Sequence, residues 1–298
     1  MLKETVPSTT IMESSLHISE FRRFTRVFLS RGVVVFGIVV IVLFLLTAAF
    51  APLIAPYDPN EQNFSQSLKM PTKAHLLGTD TLGRDTLSRM IYGTRYSLAV
   101  GVIALGIATF IGMTLGLFAG YFGGWIQATI MRFMDSLMAF PMILLAMVAA
   151  GVLGAGLRNV MIALGIALVP GYARMMCGQT LSIKENDYIL AERSLGANNS
   201  RIMFRHIFPN CLPPLIVMIT MMMGTTMLAE AGLSFLGIGI EVPNAAWGGM
   251  IADGYKYVLT NPILSIAPGV ALMVVVFSFN MVGDGLRDAL DPRLRGTI

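Results

Sequence analysis

The side chains whose types and spacing could do chemistry are gathered in one polar stretch between hydrophobic runs: Tyr188-Ile-Leu-Ala-Glu-Arg-Ser-Leu-Gly-Ala-Asn-Asn-Ser-Arg-Ile-Met-Phe-Arg-His-Ile-Phe-Pro-Asn210. Its chemistry is non-covalent. Arg193, Arg201, Arg205 and His206 supply positive charge, Glu192 supplies one carboxylate, and Ile189, Leu190, Leu195, Ile202, Phe204 and Ile207 recur at helical spacing. Tyr188 to Leu195, with Ala191 inside it, predicts a short helix. Gly196 stands where a left-handed C-terminal cap costs little, and Ala197-Asn-Asn-Ser200 offers side chains that cap a new helix start. A second short helix is predicted next, ended by Pro209, which opens the following hydrophobic run. Such a basic, amphipathic stretch suits either docking a soluble partner or lying on anionic lipid, and physics alone leaves both open.

Nothing elsewhere looks catalytic. The three histidines, His17, His75 and His206, fall in three different segments, and no HExxH, GxSxG or Walker A pattern occurs. The run Gly78-Thr-Asp-Thr-Leu-Gly-Arg84 lacks the lysine and the preceding strand of a phosphate loop; it reads as a turn feeding an amphipathic helix from Asp85 to Tyr92. Cys177 and Cys211 show no metal or disulfide spacing and read as free thiols. Arg132 and Asp135 sit three apart, on one helix face, and read as a structural pair. Glu230 lies near the end of an apolar run, where an ionisable group is a candidate for function, although a membrane interface could solvate it. Glu241 and Asp253 are the acids of a Gly- and aromatic-rich loop, 235–262, that reads as re-entrant or interfacial.

The elements that must position these groups are membrane spans. Of 298 residues, 55% are hydrophobic and 13% are charged, against about 25% charged in a soluble domain. Apolar runs long enough to cross a bilayer predict an all-α polytopic membrane protein with six transmembrane helices, near 32–53, 97–121, 126–153, 159–176, 212–233 and 263–282. This divides the chain into an N-terminal tail (1–31), a first span (32–54), a hydrophilic loop (55–96), a core (97–284) containing the polar loop 177–208, and a charged tail (285–298) with Asp284, Arg287, Asp288, Asp291 and Arg293 around its start. The Ser/Thr-rich first residues read as disordered, and His17 to Phe28 as an amphipathic helix with Phe21, Phe24 and Phe28 on one side. Gly101, Gly106, Gly112 and Gly116 suit close helix packing. Pro141 and Pro170-Gly171 predict interruptions, and Met218, Met221, Met222, Met223 and Met227 read as adaptable packing.

With an inside N-terminus, fourteen Lys and Arg fall on the inner side and seven on the outer side. The positive-inside rule then puts the polar loop and both termini in the cytoplasm. The net charge of +4 marks those inner loops, not a nucleic-acid partner. Intramembrane charges are too few for a proton relay, so transport against a gradient would need energy from a partner.

The stretch around Gly196 resembles the signature loop of ABC importer permeases: Glu-Ala-Ala, three residues, Gly, nine residues, then a hydrophobic stretch ending in Pro. The step from Gly196 to Pro209 and the ending His206-Ile-Phe-Pro209 agree, while Leu190-Ala191-Glu192 stands where Glu-Ala-Ala is usual, two positions late for the glutamate. The blocks Phe50-Ala-Pro-Leu-Ile-Ala-Pro-Tyr-Asp-Pro59, Leu77-Gly-Thr-Asp-Thr-Leu-Gly-Arg-Asp-Thr-Leu-Ser-Arg89, Ala139-Phe-Pro141, Tyr172-Ala-Arg174, Gly232-Leu-Ser-Phe-Leu-Gly-Ile-Gly239, Trp247-Gly248 and Asn280-Met-Val-Gly-Asp-Gly-Leu-Arg-Asp-Ala-Leu-Asp-Pro-Arg293 resemble the C-type permease of the dipeptide, oligopeptide and nickel importers.

The resemblance implies a type I ABC importer permease fold with cytoplasmic coupling helices in an inner membrane. It implies a B-type permease as the other half of the path, two cytoplasmic ATPase subunits that carry the ATP and Mg, an extracytoplasmic substrate-binding protein, and no cofactor or metal on this chain. Tyr188, Ala191, Glu192, Arg193, Leu195, Gly196, Ala197, Arg201, Phe204, Arg205, His206 and Pro209 would form the ATPase dock. Glu230, Glu241 and Asp253 would be candidates for the pathway or its outer gate, and the first span would be peripheral. Peptides are the expected cargo, with glutathione, nickel or a metal chelate as alternatives within the family. A channel or secondary transporter that needs no ATPase, and a membrane enzyme, are the readings from other classes.

Overall fold

A computed structural model of the chain describes residues 20–241 and 243–290. The Ser/Thr-rich start, His17, Asp291 and Arg293 lie outside the described residues. Those described form helices and loops without a strand, as the predicted spans require.

Helix α1 (Glu20–Leu29) precedes α2 (Gly32–Ile54); Phe24 and Phe28 stack with centroids 5.6 Å apart. The prolines beyond Ile54 stop α2, because they cannot donate the next helical hydrogen bonds. Asp85 caps α3 (Thr86–Phe122), accepting the Ser88 N–H at 2.8 Å. The predicted helix from Asp85 and the second span are therefore one helix, and the hydrophilic loop ends at residue 85, not 96. Gly93 does not break it. That glycine makes room for the indole of Trp247, whose Cδ1 would lie 2.6 Å from a Cβ there.

The third span is two pieces, α4 (Gly124–Met138) and α5 (Met142–Leu153), bent by 92°. Pro141 lacks an N–H and pushes Phe140 away from helical geometry. Helix α6 (Leu157–Lys184) runs through Pro170, so the fourth span reaches eight residues past Met176 and the polar loop is shorter than 177–208. After α7 (Asp187–Ser194), α8 (Asn199–Arg201), a π-helical turn (Ile202–Ile207) and α9 (Phe208–Phe235) follow without a break. Helices α10 (Trp247–Tyr255) and α11 (Ile263–Leu290) complete the bundle. Among the described residues, five helices are long and apolar enough to span a bilayer, or six spans if the bent pair counts as one.

Helix α6 is the most enclosed: 72% of its most apolar window is buried inside the protein, against 22% for α2. Helices α3 and α6 make the most extensive pair. Gly112, Gly116 and Gly120 form a stripe along α3, and a Cβ on each would meet the Cβ of Tyr172, Met176 and Thr180 at 2.6–2.7 Å. Gly101 faces Met223, whereas Gly106 faces open space. Of the α9 methionines, Met223 and Met227 are buried and Met221 lies against Gly283 of α11, which is interhelical packing. Arg31 at the start of α2 pairs with Asp288 near the end of α11 at 2.8 Å.

Candidate functional site

The polar stretch is built as two arms on a rigid hinge. Helix α7 ends in a Schellman motif: Ala197 N–H donates to the Glu192 carbonyl at 3.0 Å and Gly196 N–H to the Arg193 carbonyl at 2.9 Å, with Gly196 at φ +80. Leu195 N–H donates to the Ala191 carbonyl at 3.0 Å. Two residues past the glycine, the Asn198 side chain accepts the Arg201 N–H at 2.7 Å and starts the second arm.

The second arm is not a separate short helix. It is the first part of a 37-residue rod, Asn199–Phe235, about 55 Å long at the α-helical rise. Pro209 is exposed and sits at the second position of α9. The turn before it is π-helical: Phe208 N–H reaches back to the Met203 carbonyl. The Asn210 amide donates to the His206 carbonyl at 2.6 Å, so a side chain serves a backbone acceptor in the turn the proline disturbs.

The apolar residues divide into anchors and presented groups. Ile189, Ile202, Met203 and Ile207 are buried and fix both arms to the bundle. Leu195 is 84% exposed and Phe204 55%; Tyr188 and Leu190 are also exposed. Phe204 therefore points away from the face that carries Ile202 and Ile207, contrary to an amphipathic reading that places all three together. Arg193, Arg201 and Arg205 are exposed among these groups. Glu192 lies between the arms: its carboxylate is 3.5 Å from His206 Nε2 and 3.9 Å from Arg201 Nε. The stretch thus presents exposed apolar and exposed basic side chains, and Phe204 also lines a cavity of about 700 Å³ against α3.

Tyr121, the last residue of the predicted span 97–121, holds this loop to the span helices. Its hydroxyl meets Asn199 Oδ1 at 2.8 Å. Lys184 Nζ donates to its carbonyl at 2.8 Å. Lys184 and Arg193 lie 5.8 and 5.5 Å from its ring centroid. The only sequence signal was an amphipathic aromatic at the end of a span, which is common at any interface.

At the opposite end of the rod, Glu230 is 1% exposed. The interface does not solvate it; Ser234 Oγ donates to its Oε1 at 2.6 Å and accepts the Ile240 N–H at 3.3 Å. Glu241 and Asp253 are exposed and line one cleft of about 460 Å³ with Lys256, which sits 3.4 Å from Asp253. Trp247, expected at an interface, is buried because its N–H finds the Met90 carbonyl at 2.9 Å and its ring packs 5.7 Å from that of Phe44. Asp135 pairs with Arg174 across helices, not with Arg132; the α4–α5 bend brings α4 onto α6, and that contact replaces the pairing along the helix.

In the first loop, His75 Nδ1 lies 2.9 Å from Asp85 and Nε2 lies 2.8 Å from Gln66 Oε1. Asp80 receives Arg84 at 2.6 Å. The glycine run there is thus a folded structural turn.

The fold places the chain first by class. An inward-facing structure of the MetNI methionine ABC transporter superposes with a TM-score of 0.57 at 21% identity, covering 69% of this chain and 97% of that one, so the architecture is that of a type I ABC importer permease. Residues 112–296 match the binding-protein-dependent transport system inner membrane component, and residues 19–71 match the N-terminal transmembrane domain of oligopeptide transport permease C. The chain is 44% identical over 259 residues to the dipeptide transport system permease protein of Alkalihalophilus pseudofirmus, covering 87% of this chain and 85% of that protein. It is 41% identical over 276 residues to the glutathione transport system permease protein of Pectobacterium atrosepticum, covering 92% of each. The chain belongs to the binding-protein-dependent ABC transporter permeases, as a multi-pass inner-membrane subunit of the C-type dipeptide/oligopeptide branch.

Proposed function

We propose that this chain forms half of the translocation path of an ATP-driven importer of di- or oligopeptides, paired with a B-type permease. The observation that carries the coupling is the loop itself. An exposed apolar and basic surface is capped at Gly196 and continuous with a membrane-spanning rod, so force applied at the surface moves the span without bending a joint. Two ATPase subunits that hold the ATP and Mg would dock at this loop and at its counterpart on the partner permease. The exposed Leu195 and Phe204 would enter an apolar groove, and Arg193, Arg201 and Arg205 would steer the approach. ATP-driven closure of the ATPases would then rock α3 to α11 between inward- and outward-open states.

The excess of Lys and Arg on the loop side supports a cytoplasmic loop and cytoplasmic termini. The cleft of Glu241 and Asp253 would then face the substrate-binding protein. Peptide cargo is supported by the dipeptide permease relative; glutathione, itself a tripeptide, is supported by the second relative.

The test is Gly196→Asp in the reconstituted complex. A side chain at φ +80 strains the cap and puts a negative charge in a basic dock. The variant inserts normally and loses ATP-driven peptide uptake into proteoliposomes; uptake at the wild-type rate would sink the coupling reading.

A further inference from the structure

Tyr121 stands at a junction of three elements. It follows Gly120, the last member of the glycine stripe that locks α3 to α6. Lys184, one turn past Thr180 on α6, extends that contact by donating to the Tyr121 carbonyl. This carbonyl is among the last of α3, which lack helical partners and favour a cation. The ring is 4% exposed and carries two cations, Lys184 from α6 and Arg193 from α7. Its hydroxyl bonds Asn199, the first residue of the rod that becomes α9. One side chain thus touches the end of the tightest helix pair, the first arm and the second arm.

We propose that Tyr121 is a positioning residue for coupling: it fixes both arms of the 188–210 loop to the α3–α6 pair, so that loop displacement moves that pair as well as α9. This rests on the reading of the loop as the ATPase dock. Without the strut's hydroxyl bond, the loop still presents its exposed surface, since the Gly196 cap uses only backbone groups of the loop and the Tyr121 ring stays in the cluster that buries Ile189 and Ile202. What is lost is the second line of transmission. ATP is still hydrolysed at the dock, but less of the motion reaches α3 and α6.

The experiment uses the complete transporter in proteoliposomes, with Tyr121→Phe, Asn199→Leu and the double variant. Tyr121→Phe keeps the ring and its stacked cations and removes only the hydroxyl bond. Peptide uptake per ATP hydrolysed falls about fivefold in each single variant, the factor that one lost hydrogen bond corresponds to. The double variant falls no further, because both changes remove the same bond. ATPase subunits co-purify as in the wild type, and amide exchange over 198–202 rises while that of 112–120 stays. Unchanged uptake per ATP in both single variants, additive losses in the double, or loss of ATPase co-purification overturns the strut. A wild-type complex without ATP-driven uptake would instead sink the dock, and the strut with it.

Discussion

The Glu192 carboxylate lies 3.5 Å from His206 Nε2, so α7 and the π-helical turn bring these two side chains together across the Gly196 cap. The glutamate displaced by two positions from the usual family pattern still serves the loop. Its carbonyl closes the Schellman motif, and its side chain faces both Arg201 and His206.

Glu192→Ala keeps the cap, which uses only the backbone, and removes the charge between the arms. The exposed pair with Arg201, 3.9 Å away, contributes about 0–1 kcal/mol. Global thermal stability in detergent therefore stays within a few degrees, while amide exchange over 187–206 rises. Unaltered exchange there would show that the arms are held without Glu192.

Arg201→Glu reverses one charge of the presented surface and places a second carboxylate within reach of Glu192. The ATPase subunits co-purify with this variant in clearly reduced stoichiometry, and added salt weakens the wild-type association. A complex of unchanged stoichiometry at low and high salt would count against charge at this surface.

Gly116→Leu drives a side chain into Met176 Cβ and Cys177 N, which lie 2.7 and 2.9 Å from a Cβ at that position. Overpacking of this kind costs about 1–3 kcal/mol, and the purified permease loses thermal stability. Gly106→Ala is the control, because nothing lies within 4 Å of its Cβ; it leaves stability the same or raises it, by up to about 1 kcal/mol. Equal effects of the two would refute the stripe.

What the sequence determined by itself was whatever depends on local pattern. Hydropathy placed the spans, because a bilayer requires about twenty apolar residues whatever their neighbours. Gly196 and Asn198 announced their caps, because capping is a matter of backbone angles and side chains a few residues apart. Spacing from Gly196 to Pro209 carried the family resemblance for the same reason.

Tertiary structure decided everything that depends on which side chains meet. The sequence joined Arg132 to Asp135 by helical spacing, but the bend at Pro141 gives Asp135 to Arg174. It left Glu230 open between a functional site and a group solvated at the interface, and Trp247 in a re-entrant or interfacial loop, whereas packing buries both and supplies the Met90 carbonyl and Ser234 as partners. It divided the second arm from α9 at Pro209, but the π turn absorbs the proline and makes one rod. Tyr121 shows the limit most plainly. Its partners lie 63 to 78 positions along the chain, and no local pattern encodes a meeting that only the glycine-lined approach of α3 and α6 brings about.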